Sequence, residues 1–269
     1  LTNADLSGAV VTGASFGETT SRGFTQAQLA STASYQTKNL QGILLWSNNL
    51  TGWDFSGQNL TGAYFTYSQL KNANFSFADL RGAQMSSASG PFQARNTIRE
   101  NGAINGLDLA AGETLVVRDS DIAITVYDSM NAVSGSALEL VLADADWGSK
   151  VAVAAGVTPD LGGTLRIRFA DQANVASMLG TTFDLFDWPA VLDTNNRFDA
   201  IELPPGTQWD LNQLYVSGTA TLMAIPEPSA VLLLVCGTAA WILGWAFRER
   251  RHTCHVSSDS LSRGSIPCD

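Results

Sequence analysis

The sequence predicts an all-β protein with a repeat-built first third, a β-rich second part and one C-terminal transmembrane helix. Three observations carry this expectation. From Leu40 to Met85 every fifth residue is large and apolar: Leu40, Leu45, Leu50, Phe55, Leu60, Phe65, Leu70, Phe75, Leu80 and Met85. Between residues 114 and 222, short alternating or continuous apolar runs are separated by Gly, Asp and Pro. Near the end stand 18 uncharged, mostly apolar residues, Ala230 to Phe247, followed by Arg248, Arg250 and Arg251. A period of five is neither the 3.6 of a helix nor the 2 of a strand, and a fixed short period marks a repeat architecture.

The positions around each centre repeat as well. Two residues before it lie Ala63, Ala73, Ala78 and Ala83, and one before it Asn39, Asn49, Asp54, Asn59, Asn74 and Asp79. Two after it lie Gly42, Gly52, Gly57, Gly62 and Gly82. The pattern resembles the pentapeptide-repeat family, Ala-(Asp/Asn)-Leu-X-X, and the resemblance implies a right-handed quadrilateral β-helix. Each pentapeptide would form one face and about four would make a coil, stacked about 4.8 Å from the next. The central residue would point inward. So would the small residue two before it, where only a methyl fits. Asn, Asp and Gly would tolerate the tight corners.

Leu6, Val11 and Phe16 already keep the period. Residues 18–34 interrupt it. Thr25 caps a run of good helix formers there, which predicts a short helix packed through Phe24 and Leu29. Tyr35 is expected to re-enter the register. This insertion is read as a peripheral bulge, with a binding loop as the sharper alternative. The chain begins with Leu1, in mid-repeat, and is read as a fragment from which a signal peptide is missing.

After Met85, Ser86 to Pro91 has the composition of a linker, which sets the repeat domain at 1–90 and a β-rich extracellular domain at 91–224. Strands are expected at 114–117, 122–127, 137–142, 150–153, 164–169, 182–186, 214–216 and 219–222. A solenoid-like domain and a β-sandwich both fit, and the strand starts Gly162-Gly163-Thr164-Leu165 and Gly135-Ser136-Ala137-Leu138 favour the first. The region also resembles extracellular domains that follow pentapeptide repeats in planctomycete-type secreted proteins. The matching pieces are residues 183–188, Trp209-Asp210-Leu211 and Leu214-Tyr215.

Residues 225–251 combine Pro226-Glu227-Pro228-Ser229, the apolar run 230–247 and the basic stop of Arg248, Arg250 and Arg251. This order resembles the PEP-CTERM sorting signal. A helix of that length spans about 27 Å, enough for a hydrocarbon core. Trp241 and Trp245 suit the interface, and the arginines hold the C-terminus in the cytoplasm before processing. The prolines keep the motif extended for an exosortase-type processing enzyme, the partner that the resemblance implies. An ordinary anchor with a proline-rich stalk is the plainer reading. Residues 252–269 read as a disordered tail.

Charge narrows the function classes. Residues 1–90 hold four acids and four bases, whereas 91–224 hold 17 acids and 7 bases, the whole of the net −10. Such a surface disfavours nucleic acid, and the neutral, short repeat disfavours a DNA-mimicking topoisomerase ligand. Both histidines, His252 and His255, and all three cysteines, Cys236, Cys254 and Cys268, lie beyond residue 224. Residues 1–224 therefore cannot supply a Ser-His-Asp triad, a Cys-His pair or a His-containing zinc site. No catalytic or cofactor-binding residue is assigned. Asp119, Asp121, Asp144 and Asp146 are calcium candidates through oxygen ligands, although they lack EF-hand or RTX spacing, and solvated turn acids are the preferred reading. The sequons at Asn49, Asn59 and Asn74 follow from the repeat itself. The expectation is a non-enzymatic, exported envelope or surface protein. It would be anchored in the membrane through its C-terminal helix and carry a β-helical scaffold or interaction surface, with an extracellular polysaccharide among the partners. A carboxylate-based glycan hydrolase or glycan-binding module is the alternative.

Overall fold

The computed structural model describes residues 1–194 and 196–224. Leu1–Ala224 form one compact unit. The predicted sorting motif, membrane helix, basic stop and tail lie outside the described residues.

Most of the five-residue periodicity becomes a ladder with a twenty-residue step. Parallel bridges join Asn39 to Asn59 to Asp79, Leu44 to Tyr64 to Gln84, Asn49 to Gln69 to Ser89, and Asp54 to Asn74. Four pentapeptides thus return the chain to the same ladder, and the parallel pairing fits a β-helix. Every centre from Leu40 to Leu80 is buried. Phe55 and Phe75, one coil apart, stack with centroids 5.1 Å apart and planes 13° from parallel. Phe65 meets both edge-on. The Asn/Asp position forms its own ladder, with Asn59 donating to Asn39 and Asn74 to Asp54, each at 3.1 Å.

The position two before the centre departs from expectation in the coil beside the insertion. Ile43, Asn48, Trp53 and Gln58 occupy it there, all buried, so more than a methyl fits. The insertion supplies the room. Trp53 packs on Phe24 at 5.6 Å, and the Asn48 amide donates to the carbonyls of Phe16 and Leu45. The methyl-only rule holds in the next coil, at Ala63, Ala73 and Ala78.

The insertion contains a 3₁₀ turn at Thr20–Arg22, then α1 (Gln26–Ala30) and α2 (Ala33–Gln36). Thr25 and Gln28 form a capping box on α1, and Phe24 and Leu29 are buried against the coil as expected. Tyr35 does not re-enter the register. It lies in α2, and its hydroxyl donates to the Asp54 carbonyl at 2.8 Å. The first bridge, Ser15 to Leu44, spans 29 residues rather than twenty, so the insertion adds a net nine.

Ser86 to Pro91 reads as a linker, yet the backbone stays in the ladder. Ser89 bridges Gln69, and Asn72 donates to the Pro91 carbonyl at 2.7 Å. One residue is lost between Ser89 and Gln93, because Asn74 bridges Gln93 and Asp79 bridges Ile98, steps of 19.

The remaining chain forms β1 (Ala103–Leu109), β2 (Thr114–Arg118), β3 (Ile124–Ala132), β4 (Ala137–Leu142), β5 (Val151–Val153), β6 (Asp160–Leu161) and β7 (Thr164–Phe169). After α3 (Val175–Met178) come β8 (Thr182–Asp184), β9 (Phe186–Asp187), β10 (Ala200–Glu202), β11 (Trp209–Asp210) and β12 (Thr219–Leu222). One parallel sheet has the order β1-β3-β5-β9 with β6 also on β3, and a second has the order β10-β7-β4-β2. Consecutive strands alternate between the two sheets up to β5, and alternate apolar residues of both meet in one core cluster. This alternation of parallel strands fits the solenoid-like expectation better than a sandwich. The return lengthens along the chain. Thr114 pairs with Ala137, Ala137 with Thr164 and Thr164 with Ala200, steps of 23, 27 and 36 residues.

A third, antiparallel sheet, β11-β12-β8, follows. The expected strand at 182–186 is split between β8 and β9 by Leu185, where the chain passes from the third sheet to the first. Gly218 sits against this switch. With φ at +80°, a Cβ there would lie 1.9 Å from the Phe186 carbonyl oxygen. The expected strand at 214–216 is a turn, because the amides of Val216, Ser217 and Gly218 all converge on the Gln213 carbonyl. Strands β1, β6, β10 and β11 were not anticipated. Gly106 and Asp108 interrupt the apolar pattern of β1, and the others are only two or three residues long.

Candidate functional site

The first place where chemistry concentrates is the join between the repeat and the sheets. Arg81 is only 1% exposed, and all five of its N–H groups are used. Nε and Nη2 grip the Asp79 carboxylate at 2.9 and 2.6 Å. Nη2 also donates to the Arg118 carbonyl at 2.6 Å, while Nη1 donates to the Ile122 carbonyl at 2.9 Å and to Ser149 Oγ at 2.6 Å. The repeat positions Asp79 on its Asn/Asp ladder, and Arg81 falls at the corner two residues on. The arrangement is a structural clamp, with its charge paired and no open valence for chemistry. A second tie lies nearby, where Asn96 exchanges hydrogen bonds with the backbone N–H and carbonyl of Asp108 at 2.8 and 2.9 Å.

Beside the clamp, Asp119, Asp121, Asp144 and Asp146 line one concavity of about 450 Å³ together with Gln41 and Thr61. The structure thus gathers all four calcium candidates. It spends two of them on turns, however. Asp119 Oδ1 accepts the backbone N–H groups of Ser120 and Gly148 at 2.9 and 3.0 Å, and Asp144 Oδ1 accepts that of Asp146 at 2.7 Å. Burial pushes the Asp119 carboxyl above its ordinary pKa, opposed by those two hydrogen bonds. Among the described residues, no group of three or more His, Cys, Asp or Glu is arranged to hold a metal ion.

Next to it opens a charged groove of about 640 Å³ between the Asn39/Asn59 ladder and the outer face of the second sheet. Register aligns Arg118, Val141 and Arg168 across β2, β4 and β7. Glu139 pairs with Arg168 at 3.3 Å. Burial lowers the pKa of the Arg118 guanidinium, against the pull of Asp79 and Glu139.

A further concavity, about 600 Å³, lies where the insertion meets the repeat. Thr20, Thr25, Asn49, Trp53, Tyr67 and Gln69 are among its walls, and none of its lining residues is charged.

Sequence reasoning missed Arg81, Tyr67 and the charged groove. Two signals were available. Asp79-Leu80-Arg81 is the one repeat that places an arginine two residues after an aspartate of the ladder, and Tyr67 and Phe77 are aromatic where the corner is elsewhere Gly, Ser or Asn. The groove had no signal, since it draws on residues more than a hundred positions apart. The sorting motif Pro226, Glu227, Pro228 and Ser229 and the basic stop Arg248, Arg250 and Arg251 lie outside the described residues.

Comparison with known proteins adds one finding. The pentapeptide-repeats family model matches residues 39–76 and 59–89, in eight copies, so this segment is made of pentapeptide repeats. No curated protein and no solved structure matches the chain.

Proposed function

We propose that the chain is a non-enzymatic, exported envelope protein whose residues 1–224 are a displayed scaffold. Pro226-Glu227-Pro228-Ser229, the apolar run 230–247 and Arg248, Arg250 and Arg251 deliver and anchor it. The observation that carries this reading is the place where the compact unit ends, Ala224, two residues before the Pro-Glu-Pro motif begins. A self-contained body therefore stops where the Pro-Glu-Pro sequence and a span-length apolar run begin. The clamped join between repeat and sheets suits a stiff body, and two of the four acids that were candidates for chemistry, Asp119 and Asp144, are committed to turns.

In this reading the membrane holds the protein through 230–247, an exosortase-type enzyme reads residues 226–229, and an extracellular polysaccharide is the partner at the surface. The repeat family supports the non-enzymatic part, since such proteins are generally structural or interaction proteins. The test is cell fractionation with a tag at each end. The body is expected outside the cytoplasmic membrane, and deletion of 230–247 or Glu227→Ala is expected to redistribute it. A full-length, cytoplasmic, freely soluble protein overturns the proposal.

A further inference from the structure

Tyr67 is unusual in two independent ways. Its backbone is left-handed, with φ at +61°, at a corner where the coil more often places glycine. Left-handed backbone strains a residue with a Cβ, and for a bulky residue it is a genuine outlier. The strain is not repaid inside the fold, because the ring is 68% exposed and, among the described residues, stacks on no other aromatic or cation. Phe77 is the instructive contrast. It has the same strained backbone, but its ring packs on the second core and lies under Arg95 at 5.4 Å. A strained, exposed, unused aromatic is the kind of outlier that points to a ligand.

Its surroundings state the ligand's chemistry. Asn49 and Gln69 are bridged partners on successive coils, so their side chains stand one above the other on the same face, about 4.8 Å apart. Among the described residues, the Gln69 amide has no partner, nor does the Asn49 Nδ2 group, and the indole N–H of Trp53 donates to no group. Thr20 and Thr25 complete the wall, their hydroxyls already bonded to the Asn49 N–H and to Gln28. An uncharged concavity does not select an ion. Paired amides match adjacent hydroxyls, which donate and accept at once, and an aromatic face suits an apolar ring surface studded with them.

We infer that the concavity between the insertion and the repeat binds a neutral saccharide, with Tyr67 as its stacking ring and Asn49 and Gln69 as its hydrogen-bonding pair. The inference sharpens the polysaccharide part of the proposed function but does not rest on export, since it concerns the purified protein alone. It also reassigns the insertion from a tolerated bulge to the second wall of a site.

The test is titration calorimetry of the full chain in a detergent without sugar headgroups. Cellotetraose, laminaritetraose, maltotetraose and chitotetraose are the neutral probes, and polygalacturonate is the charged one. One or more neutral probes should bind and polygalacturonate should not. Tyr67→Gly should weaken binding about tenfold or more, the loss of one aromatic contact, while raising the thermal midpoint by relieving the strain. Gln69→Ala should weaken binding with the midpoint unchanged, and Arg168→Ala, in the charged groove, should leave binding intact. Absence of binding to every neutral probe, binding unaffected by Tyr67→Gly and Gln69→Ala, or a preference for polygalacturonate overturns the inference. None of these outcomes bears on where the fractionation test finds the protein.

Discussion

The two halves of the body stack parallel strands by the same rule and differ in how strictly they count. In the pentapeptide half, two successive advances of twenty residues link three coils, and side chains recur at fixed intervals. In the second sheet, the advance grows from 23 to 27 to 36 while the strands keep their register. The first half is electrically balanced, and the second carries the net charge of −10. Inward stacking therefore needs neighbouring strands in register and does not need a constant loop. Where the loops are free to vary, acids accumulate on them, and that is where the acid-lined concavity lies, whereas the charged groove runs over the strands of the second sheet.

The sharpest way to break the comparison is to cut the tie between the halves. Arg81→Met leaves Asp79 buried without its partner and should cost about 3–5 kcal/mol. Calorimetry should then show the single unfolding transition separating into two. The double variant Arg81→Met with Asp79→Leu should recover only part of the loss, because the carbonyls of Arg118 and Ile122 lose their donor. A loss below about 1 kcal/mol for the single variant would mean that this pair does not hold the join.

A second test compares successive coils at one repeat position. Ile43→Ala should destabilise by about 2–5 kcal/mol through the cavity it leaves beside the insertion. One coil on, Ala63→Ile should destabilise by about 1–3 kcal/mol through overpacking. Chemical denaturation measures both. Equal tolerance at the two positions would mean that the insertion does not make the room for Ile43.

A smaller effect concerns pH. The Asp119 carboxyl is raised by burial, so its folded pKa lies above its unfolded one. The stability of its protonated form is fully present below the unfolded pKa and is lost as pH rises through the folded value. Asp119→Asn should therefore raise the thermal midpoint at pH 7 and leave it unchanged at pH 3, where the native side chain is already neutral. Smallest of all is Glu139→Gln, which removes an exposed ion pair with Arg168 and should change stability by less than about 1 kcal/mol.

These contrasts also explain what the sequence made legible. Leu40 through Leu80 could be read as inward because a constant coil converts spatial stacking into sequence period. The strands from Thr114 to Phe169 were found through their alternation, but their partners were not, because steps of 23, 27 and 36 leave no period to detect. Leu214 to Val216 looks like a strand by composition and is bent into a turn by the convergence of three amides on Gln213. The calcium candidates were visible as Asp-X-Asp pairs. That the four share one hollow, and that Asp119 also accepts the Gly148 N–H 29 residues on, depends on long-range contacts, whereas the Ser120 and Asp146 amides that occupy Asp119 and Asp144 are local. Tyr67 was in plain sight as the wrong residue at a corner, and only its left-handed backbone and bare ring give that oddity a meaning.

The lengthening return has a consequence for how the chain can assemble. Closing a loop of 36 residues instead of 20 costs only about 0.5 kcal/mol more in entropy. Growth of the later loops is therefore thermodynamically cheap, and lineages can elaborate them without rebuilding the spine beneath. Kinetically, the closures of 20 and 19 residues in the repeat precede those of 23, 27 and 36 in the second sheet, so they leave the ribosome before them. Each finished coil offers the next strand a ready edge, so the body can grow by templated addition in the order in which it is synthesised.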